Sequence, residues 1–130
     1  MIALAPAYNA TKVCSSALAL ALNFAVSLST DTPSQGQNVT TIFDFDLAGV
    51  IPSGTAYYSA TLNGLGPFTS QAALCDETAK SGDPCPLLPG HHHQESTTEN
   101  TVTGKVVTQI TWYDLDGAEI LCAELTTKST

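Results

Sequence analysis

The sequence predicts an all-β protein, a sandwich of two antiparallel sheets, on the basis of three observations. Apolar and polar residues alternate over six or seven short stretches, which is the period of a half-buried strand. Clusters rich in Gly, Pro, Asn and Asp separate these stretches at short intervals, as turns do. No convincing helical period interrupts the series. At 130 residues we expect one domain spanning 1–130, large enough to bury a core.

The first strong strand signal runs from Leu18 to Leu28. Its even-numbered residues are Leu, Phe or Val and its odd-numbered residues are Ala, Asn or Ser. We therefore predict one long strand with a single apolar face. Residues 1–12 have no clean period and are interpreted as a leading arm laid against a sheet edge. The apolar run 17–28 is too short to span a bilayer, and its flanks lack the basic cluster of a signal peptide.

Two further strands follow a turn at 31–36. The segment Thr40–Ala48 places two phenylalanines on one face and two aspartates on the other, so its aspartate face is predicted to meet water. The segment Thr55–Asn63 has its larger apolar residues on one face and ends at the Gly-Leu-Gly-Pro sequence 64–67. Both segments are therefore expected to turn one apolar face to a core.

The segment Leu74–Gly90 is interpreted as a rigid clip between strands. Its three prolines remove backbone donors, so their corner is neither a helix nor a central strand. The polar run 91–101 has little to bury and is expected to be an edge strand or a loop. A hairpin then joins Val102–Tyr113 to Glu119–Thr127. The whole series is typical of a sandwich of immunoglobulin-like appearance.

The charge distribution disfavours two classes of partner. The chain has 12 acidic and 4 basic side chains and a formal charge of -8. Its lysines are scattered singly at 12, 80, 105 and 128, whereas phosphate contacts need a basic stripe. We therefore expect no nucleic-acid partner and no electrostatic steering onto an anionic membrane.

The four cysteines indicate a disulfide framework. Their number is even and no C-x-x-C pair is present, which favours disulfides and an oxidising compartment. Three pairings are possible from the sequence, and Cys75 and Cys85 are close enough to close a short ring. Two glycosylation sequons, at Asn9 and Asn38, agree with secretion.

Nothing in the sequence predicts an enzyme, a metal site or a cofactor. The chain has no G-x-S-x-G elbow, H-E-x-x-H motif, P-loop or glycine-rich dinucleotide turn. The pairs Asp44/Asp46 and Asp114/Asp116 are interpreted as solvated carboxylates. The triplet His91-His92-His93 fits no usual zinc spacing, and the cysteines are better assigned to a disulfide. The histidines can gain charge in an acidic compartment.

The order of motifs around the clip resembles the ML (lipid-recognition) domain family. These motifs are an alternating strand, a Gly-Pro-Phe turn, Leu-Cys-Asp-Glu, a short polar loop, Cys-Pro and Pro-Gly. Within the family the chain is most similar to fungal phosphatidylglycerol/phosphatidylinositol transfer proteins and, more distantly, to the Niemann-Pick type C sterol carrier. The resemblance implies the disulfides Cys75–Cys85 and Cys14–Cys122. A third bridge, usual in the family, is absent.

The resemblance also implies a lipid-binding function. In ML domains the sheets stand apart at one end and hold a lipid, so a phospholipid, fatty acid or sterol is the expected ligand. Exchange would require transient contact with a membrane or partner protein, in a secreted or vacuolar-lysosomal setting. The turn 64–68 is expected at the mouth. The predicted cavity wall comprises Phe24, Val26, Phe43, Phe45, Tyr58, Ala60, Leu62, Phe68, Val106, Ile110 and Trp112.

Composition alone instead favours a packed interior for these same residues. Spacing along a strand cannot separate a filled core from a hollow one. The alternative is therefore a non-enzymatic extracellular sandwich with a filled core, which recognises protein or glycan through its surface loops.

Overall fold

The computed structural model describes residues 10–129, which form two antiparallel sheets and one short helix. The five-stranded sheet has the order β1-β8-β7-β4-β5 and the three-stranded sheet the order β2-β3-β6. This arrangement confirms the predicted fold class. The elements are β1 (Thr11–Val13), β2 (Ala21–Leu28), β3 (Asn38–Leu47), β4 (Gly54–Leu62), β5 (Leu65–Ala73), α1 (Leu74–Lys80), β6 (Gly90–Glu99), β7 (Gly104–Asp114) and β8 (Glu119–Ser129).

The alternation predicts the faces of β3 correctly. Phe43, Phe45 and Leu47 are buried, whereas Asp44 and Asp46 lie on the other face of the strand. The pleat places successive side chains on opposite faces, so a five-residue pattern is enough to identify the buried side. Strand β4 behaves in the same way, since Ala56 is buried and Tyr58 packs against the core, whereas Tyr57 between them is exposed.

The prediction of one continuous apolar face on residues 18–28 is wrong. The register between β2 and β3 shifts between Leu22 and Ala25, and Asn23 has a positive φ of 54°. A bulge of this kind exchanges the two faces of a strand. Before the bulge Ala21 is buried and Leu22 is 48% exposed, whereas after it Phe24 packs against the core.

Two elements appear where the sequence analysis predicted none. The chain leading into the clip forms strand β5, and the clip itself begins with α1. In α1, Leu74 and Thr78 are buried at a spacing of four, and acidic residues occupy the first turn, where they favour the helix dipole. The prolines come only after the helix ends, so they do not prevent it.

The His-rich segment is confirmed as an edge strand, β6, at one side of the three-stranded sheet. Two of its polar side chains, His92 and Gln94, point inward and are buried. Asn38 begins β3 and is exposed, whereas Asn9 and the predicted arm up to residue 9 lie outside the described residues. From residue 11 the chain adds β1 to the edge of β8.

Both expected disulfides are formed. Cys14, just after β1, is bonded to Cys122 in β8, and Cys75 in α1 is bonded to Cys85. The core concentrates at one end of the sandwich, which we call the packed end. Its residues are Phe45, Leu47, Ile51, Ala56, Leu74, Leu87 and Leu121. Within residues 10–129 no helix has the length and apolarity needed to cross a membrane.

Candidate functional site

A cavity of about 400 Å³ lies between the two sheets. It occupies the space where β6 and β3 face β4 and β7, and α1 lies beside it. Three kinds of residue line it. The apolar ones are Phe43, Ile110, Trp112 and Leu125; the polar wall is Thr41, Gln94, Ser96, Thr98 and Thr108; and the group near α1 is Tyr58, Glu77, Lys80 and Ser81.

The cavity exists because the inward side chains become smaller along the strands. On β3 the inward residues Leu47, Phe45 and Phe43 are followed by Thr41, and on β7 Trp112 and Ile110 are followed by Thr108. Facing sheets stand about 10 Å apart, a gap that threonine and serine side chains are too short to fill. We call this second region of the sandwich, lined by Thr41, Ser96, Thr98, Thr108 and Leu125, the hollow end.

A group of aromatic rings separates the hollow end from the packed end. The ring centroids of Phe43 and Trp112 lie 5.4 Å apart, and those of Phe24 and Phe43 lie 5.1 Å apart in an edge-to-face arrangement. Trp112 is buried, and among the described residues its indole Nε1 has no hydrogen-bond partner. A buried N–H normally finds an acceptor, so the cavity floor offers one unused donor group.

Strand β6 supplies polar residues beside this floor, since Gln94 pairs with Phe43 across the two strands. Gln94 is only 3% exposed, and its Nε2 donates to Asp83 Oδ2 at 2.8 Å. Ser96 and Thr98 continue the same face of the strand. The cavity lining is therefore amphiphilic, because aromatic rings from both sheets adjoin hydroxyl and amide groups that also come from both sheets.

The residues near α1 form the mouth, and a short chain of polar contacts crosses it. The Tyr58 hydroxyl donates to Glu77 Oε1, and Lys80 Nζ donates to Glu77 Oε2 at 3.2 Å. Burial and the bond to Glu77 raise the pKa of the Tyr58 phenol, which therefore stays neutral. The Lys80 side chain is 74% exposed, so one cation stands at the mouth within reach of solvent.

A second, smaller cavity of about 220 Å³ adjoins the first. Both are lined by Thr41, Thr98, Thr108 and Leu125, so the unfilled space continues toward the ends of β3 and β7. Val106 and Val39 line the smaller cavity. The hollow end is thus an extended region between the sheets.

The residues that were predicted to form the cavity wall differ in whether they line a cavity, pack in the core or do neither. Phe43, Tyr58, Ile110 and Trp112 line the larger cavity, and Val106 lines the smaller one. Phe24, Val26 and Phe45 pack in or against the core. Ala60 and Leu62 lie on the inward face of β4 without lining either cavity.

The structure places Phe68 away from the predicted wall. It is 64% exposed on β5, an edge strand, opposite Ala60. The ring therefore lies in solvent, although Phe68 pairs with Ala60 on the inward face of β4. The mouth as defined above lies at α1, and no residue of the turn 64–68, which was expected there, lines either cavity.

Sequence reasoning missed the polar lining residues. Selection by apolar character discards Thr41, Ser96, Thr98 and Thr108, although each continues the inward alternation of its strand. The change from large to small side chains along the inward face of a strand is the sequence signal that could have identified these lining residues. The helix residues Glu77 and Lys80 carried no such signal, because their approach to β4 depends on the path of the clip.

The outer face of the three-stranded sheet carries a ladder of paired charges. His91 lies 2.8 Å from Asp46 and 2.5 Å from Asp44, and His93 lies 2.8 Å from Asp44 and 3.0 Å from Glu95. Hydrogen bonds to Asp44 and Glu95 raise the pKa of His93, and bonds from Asn23 and His91 lower the pKa of Asp46. In the described chain no group of His, Cys, Asp and Glu has the arrangement of a metal site.

Comparison with known proteins places this geometry in a family. The model of the ML domain matches residues 9–129. The fold is similar to that of a Niemann-Pick type C2 protein from Japanese carpenter ant, with a TM-score of 0.66 and 14% identity over 92% of this chain and 98% of that one. It is also similar to chicken MD-1 complexed with lipid IVa, with a TM-score of 0.64 and 18% identity over 91% and 86% of the two chains.

A third similar structure is the C-terminal domain of wzt, with a TM-score of 0.57 and 7% identity over 95% of this chain and 75% of that one. No curated protein sequence matches significantly. The structural similarities, all below 25% identity, support the sandwich fold. Because the family model matches nearly the whole chain, this protein belongs to the ML domain family.

Proposed function

We propose that this protein binds a lipid between its sheets and carries it without chemical change. The observation that carries the proposal is the cavity of about 400 Å³, with an aromatic floor, in an ML domain. Its volume falls within the range of about 300 to 1,000 Å³ that is usual for small-molecule sites. A phospholipid, a fatty acid or a sterol is the ligand class.

Two structural relatives support this class of ligand. The chicken MD-1 structure contains lipid IVa, and the carpenter ant protein is of the Niemann-Pick type C2 kind. In this chain the space between the sheets is bounded by Phe43, Ile110 and Trp112. A lipid-sized space in an ML domain, together with a lipid-bound structure of similar fold, supports a lipid as the ligand.

Burial of apolar groups supplies the binding energy. Each methylene moved from water into such a site contributes about 0.8 kcal/mol. Direct release into water reverses the whole of that gain, so exchange proceeds through contact with a membrane or a partner protein. The two disulfides suit an oxidising compartment, and we place the protein outside the cell or in a vacuolar or lysosomal lumen.

A surface-recognition function is the second candidate, because an aromatic groove lies on the outer face of the five-stranded sheet. Tyr57 and Tyr113 meet there edge to face with centroids 5.5 Å apart, and Asp114 borders the same groove. The groove is shallow and open. It would serve glycan or protein recognition independently of the cavity between the sheets.

Filling the cavity tests the proposal. Thr108 lines both cavities, so Thr108→Trp should abolish binding of the uncharged fluorescent probe N-phenyl-1-naphthylamine. Gln109→Trp is the matched control, since Gln109 is the next residue on the same strand and is exposed on the opposite face. Native mass spectrometry should show a co-purifying lipid with the wild type and the control only. Equal probe binding by all three proteins would exclude this cavity as the site.

A further inference from the structure

His92 occupies a position that connects the cavity wall to the clip. Its ring is 9% exposed on the inward face of β6 and stacks on Phe45, with centroids 5.3 Å apart. Nδ1 lies 2.6 Å from Asp83 Oδ2, and Nε2 lies 2.6 Å from the Leu88 carbonyl oxygen. Both ring nitrogens therefore have a close partner on the clip.

Both of these partners are hydrogen-bond acceptors. A carboxylate oxygen and a carbonyl oxygen carry no proton, and a neutral imidazole has only one N–H to donate. Only the doubly protonated imidazolium donates to both, so the arrangement around His92 is that of the cation. Burial opposes this charge, but the bonds to Leu88 and Asp83 outweigh it and raise the pKa of His92.

The charged groups around His92 come from two elements. The clip contributes Asp83, and β3 contributes Asp46, whose negative charge also favours the cation, together with the uncharged Phe45 ring. The neighbouring residues His91 and His93 point to the outer face, where carboxylates pair with them. Protonation of His92 is thus favoured by anions on both sides of its strand.

Asp83 extends the contact of His92 to the cavity. Its Oδ2 also accepts the hydrogen bond from Gln94, which lines the cavity. Its backbone N–H donates to the Thr78 carbonyl oxygen at 2.9 Å, in the helix that carries Glu77 and Lys80. Asp83 therefore joins the polar wall to the helix at the mouth.

We infer that protonated His92 holds the polar wall and the mouth together, so that the protein retains its ligand in acid and releases it faster as the pH rises. The inference rests on the proposed lipid-binding function. On deprotonation, two acceptors compete for one N–H, and either the Asp83 contact or the Leu88 contact must separate. The clip segment 83–88 then loosens beside the cavity.

The direction of the pH effect follows from the raised pKa of His92. The ordinary pKa of His92 is near 6.5 and the folded state raises it. The stabilisation is therefore complete below about pH 6.5 and is lost as the pH rises through the higher folded value. An acidic compartment therefore favours the arrangement in which His92 contacts both Asp83 and Leu88, whereas a neutral compartment favours release of the ligand.

Dissociation kinetics test the inference. Protein loaded with N-phenyl-1-naphthylamine, which stays uncharged over this range, is mixed with phosphatidylcholine vesicles between pH 5 and pH 8. We expect the dissociation rate of the wild type to rise about tenfold over this range, the usual effect of losing one charged hydrogen bond. His92→Gln should dissociate rapidly at every pH. The control His91→Gln/His93→Gln alters the same strand on its outer face and should keep the wild-type profile.

Each outcome separates the inference from the function on which it rests. A wild type that binds no probe at any pH would exclude the proposed function, whereas binding with a flat pH profile would overturn only the role of His92. A wild-type profile in His92→Gln would overturn it as well. If His92→Gln does not fold, hydrogen exchange of the wild-type backbone amides tests the inference instead. After correction for intrinsic exchange rates, segment 83–88 should open more often at pH 8 than at pH 5. Equal opening at the two pH values would contradict the inference.

Discussion

The packed end and the hollow end of the sandwich are built from the same strands but are filled differently. At the packed end, large side chains from both sheets meet those of the clip, and Phe45, Leu74, Leu87 and Leu121 are fully buried. At the hollow end the inward positions carry threonine, serine, valine and leucine, and cavities of about 400 and 220 Å³ remain.

This difference shows how one alternating pattern serves two purposes. The large residues at the packed end hold the two sheets apart at the spacing that a sandwich core requires. Farther along the strands the sheets keep the same separation, but the smaller side chains there do not fill the space between them. Stability is thus concentrated at one end, while the space available to a ligand lies at the other.

The largest expected loss of stability comes from removing one large side chain at the packed end. Phe45→Ala removes a fully buried ring that contacts Phe24, Trp112 and His92, and should lower the free energy of unfolding by about 3 to 5 kcal/mol. Thr108→Ala at the hollow end should cost less than about 1 kcal/mol, because its side chain already borders a void. Urea denaturation measures both. Equal losses would remove the distinction between the two ends.

An intermediate effect is expected from opening the clip, which contributes to both ends. Cys75 and Cys85 are ten residues apart, so Cys75→Ser/Cys85→Ser should lower the free energy of unfolding by roughly 2 to 3 kcal/mol through the greater entropy of the unfolded chain. Because α1 forms the mouth, the probe should also dissociate faster. A loss of stability with unchanged dissociation would show that the disulfide supports only the packed end.

The smallest effect concerns the outer charge ladder, which contacts neither end of the interior. Hydrogen bonds to Asp44 and Glu95 raise the pKa of His93 above its ordinary 6.5, so their stabilisation is present below that pH and is lost as the pH rises through the folded value. The melting temperature of the wild type should therefore fall more between pH 5.5 and pH 8 than that of His93→Gln. The effect is small because the ring is exposed. Parallel curves would indicate that the ladder contributes nothing.

The sequence predicted the strands more reliably than it predicted the site. Alternation located β3, β4 and β7 because each turns one face to the core, whereas β8, buried on both faces from Ile120 to Ala123, was located by the hairpin turn before it. Alternation failed at Asn23, where a bulge exchanges the faces of β2, and at α1, which is too short to show a helical period. The predicted wall was chosen from apolar residues on inward strand faces, and this choice includes Phe43, Ile110 and Trp112, which line the cavity.

The sequence by itself determined the all-β fold, the inward faces of the regular strands, and, through the resemblance, the pairing of the cysteines. Only the tertiary structure decided where the interior is filled, because that depends on which side chains face each other across two sheets. It also brought His92 to Asp83 and Glu77 to Tyr58, contacts fixed by the path of the clip. Periodicity reports which way a side chain points, whereas a void is a property of all the side chains that surround it.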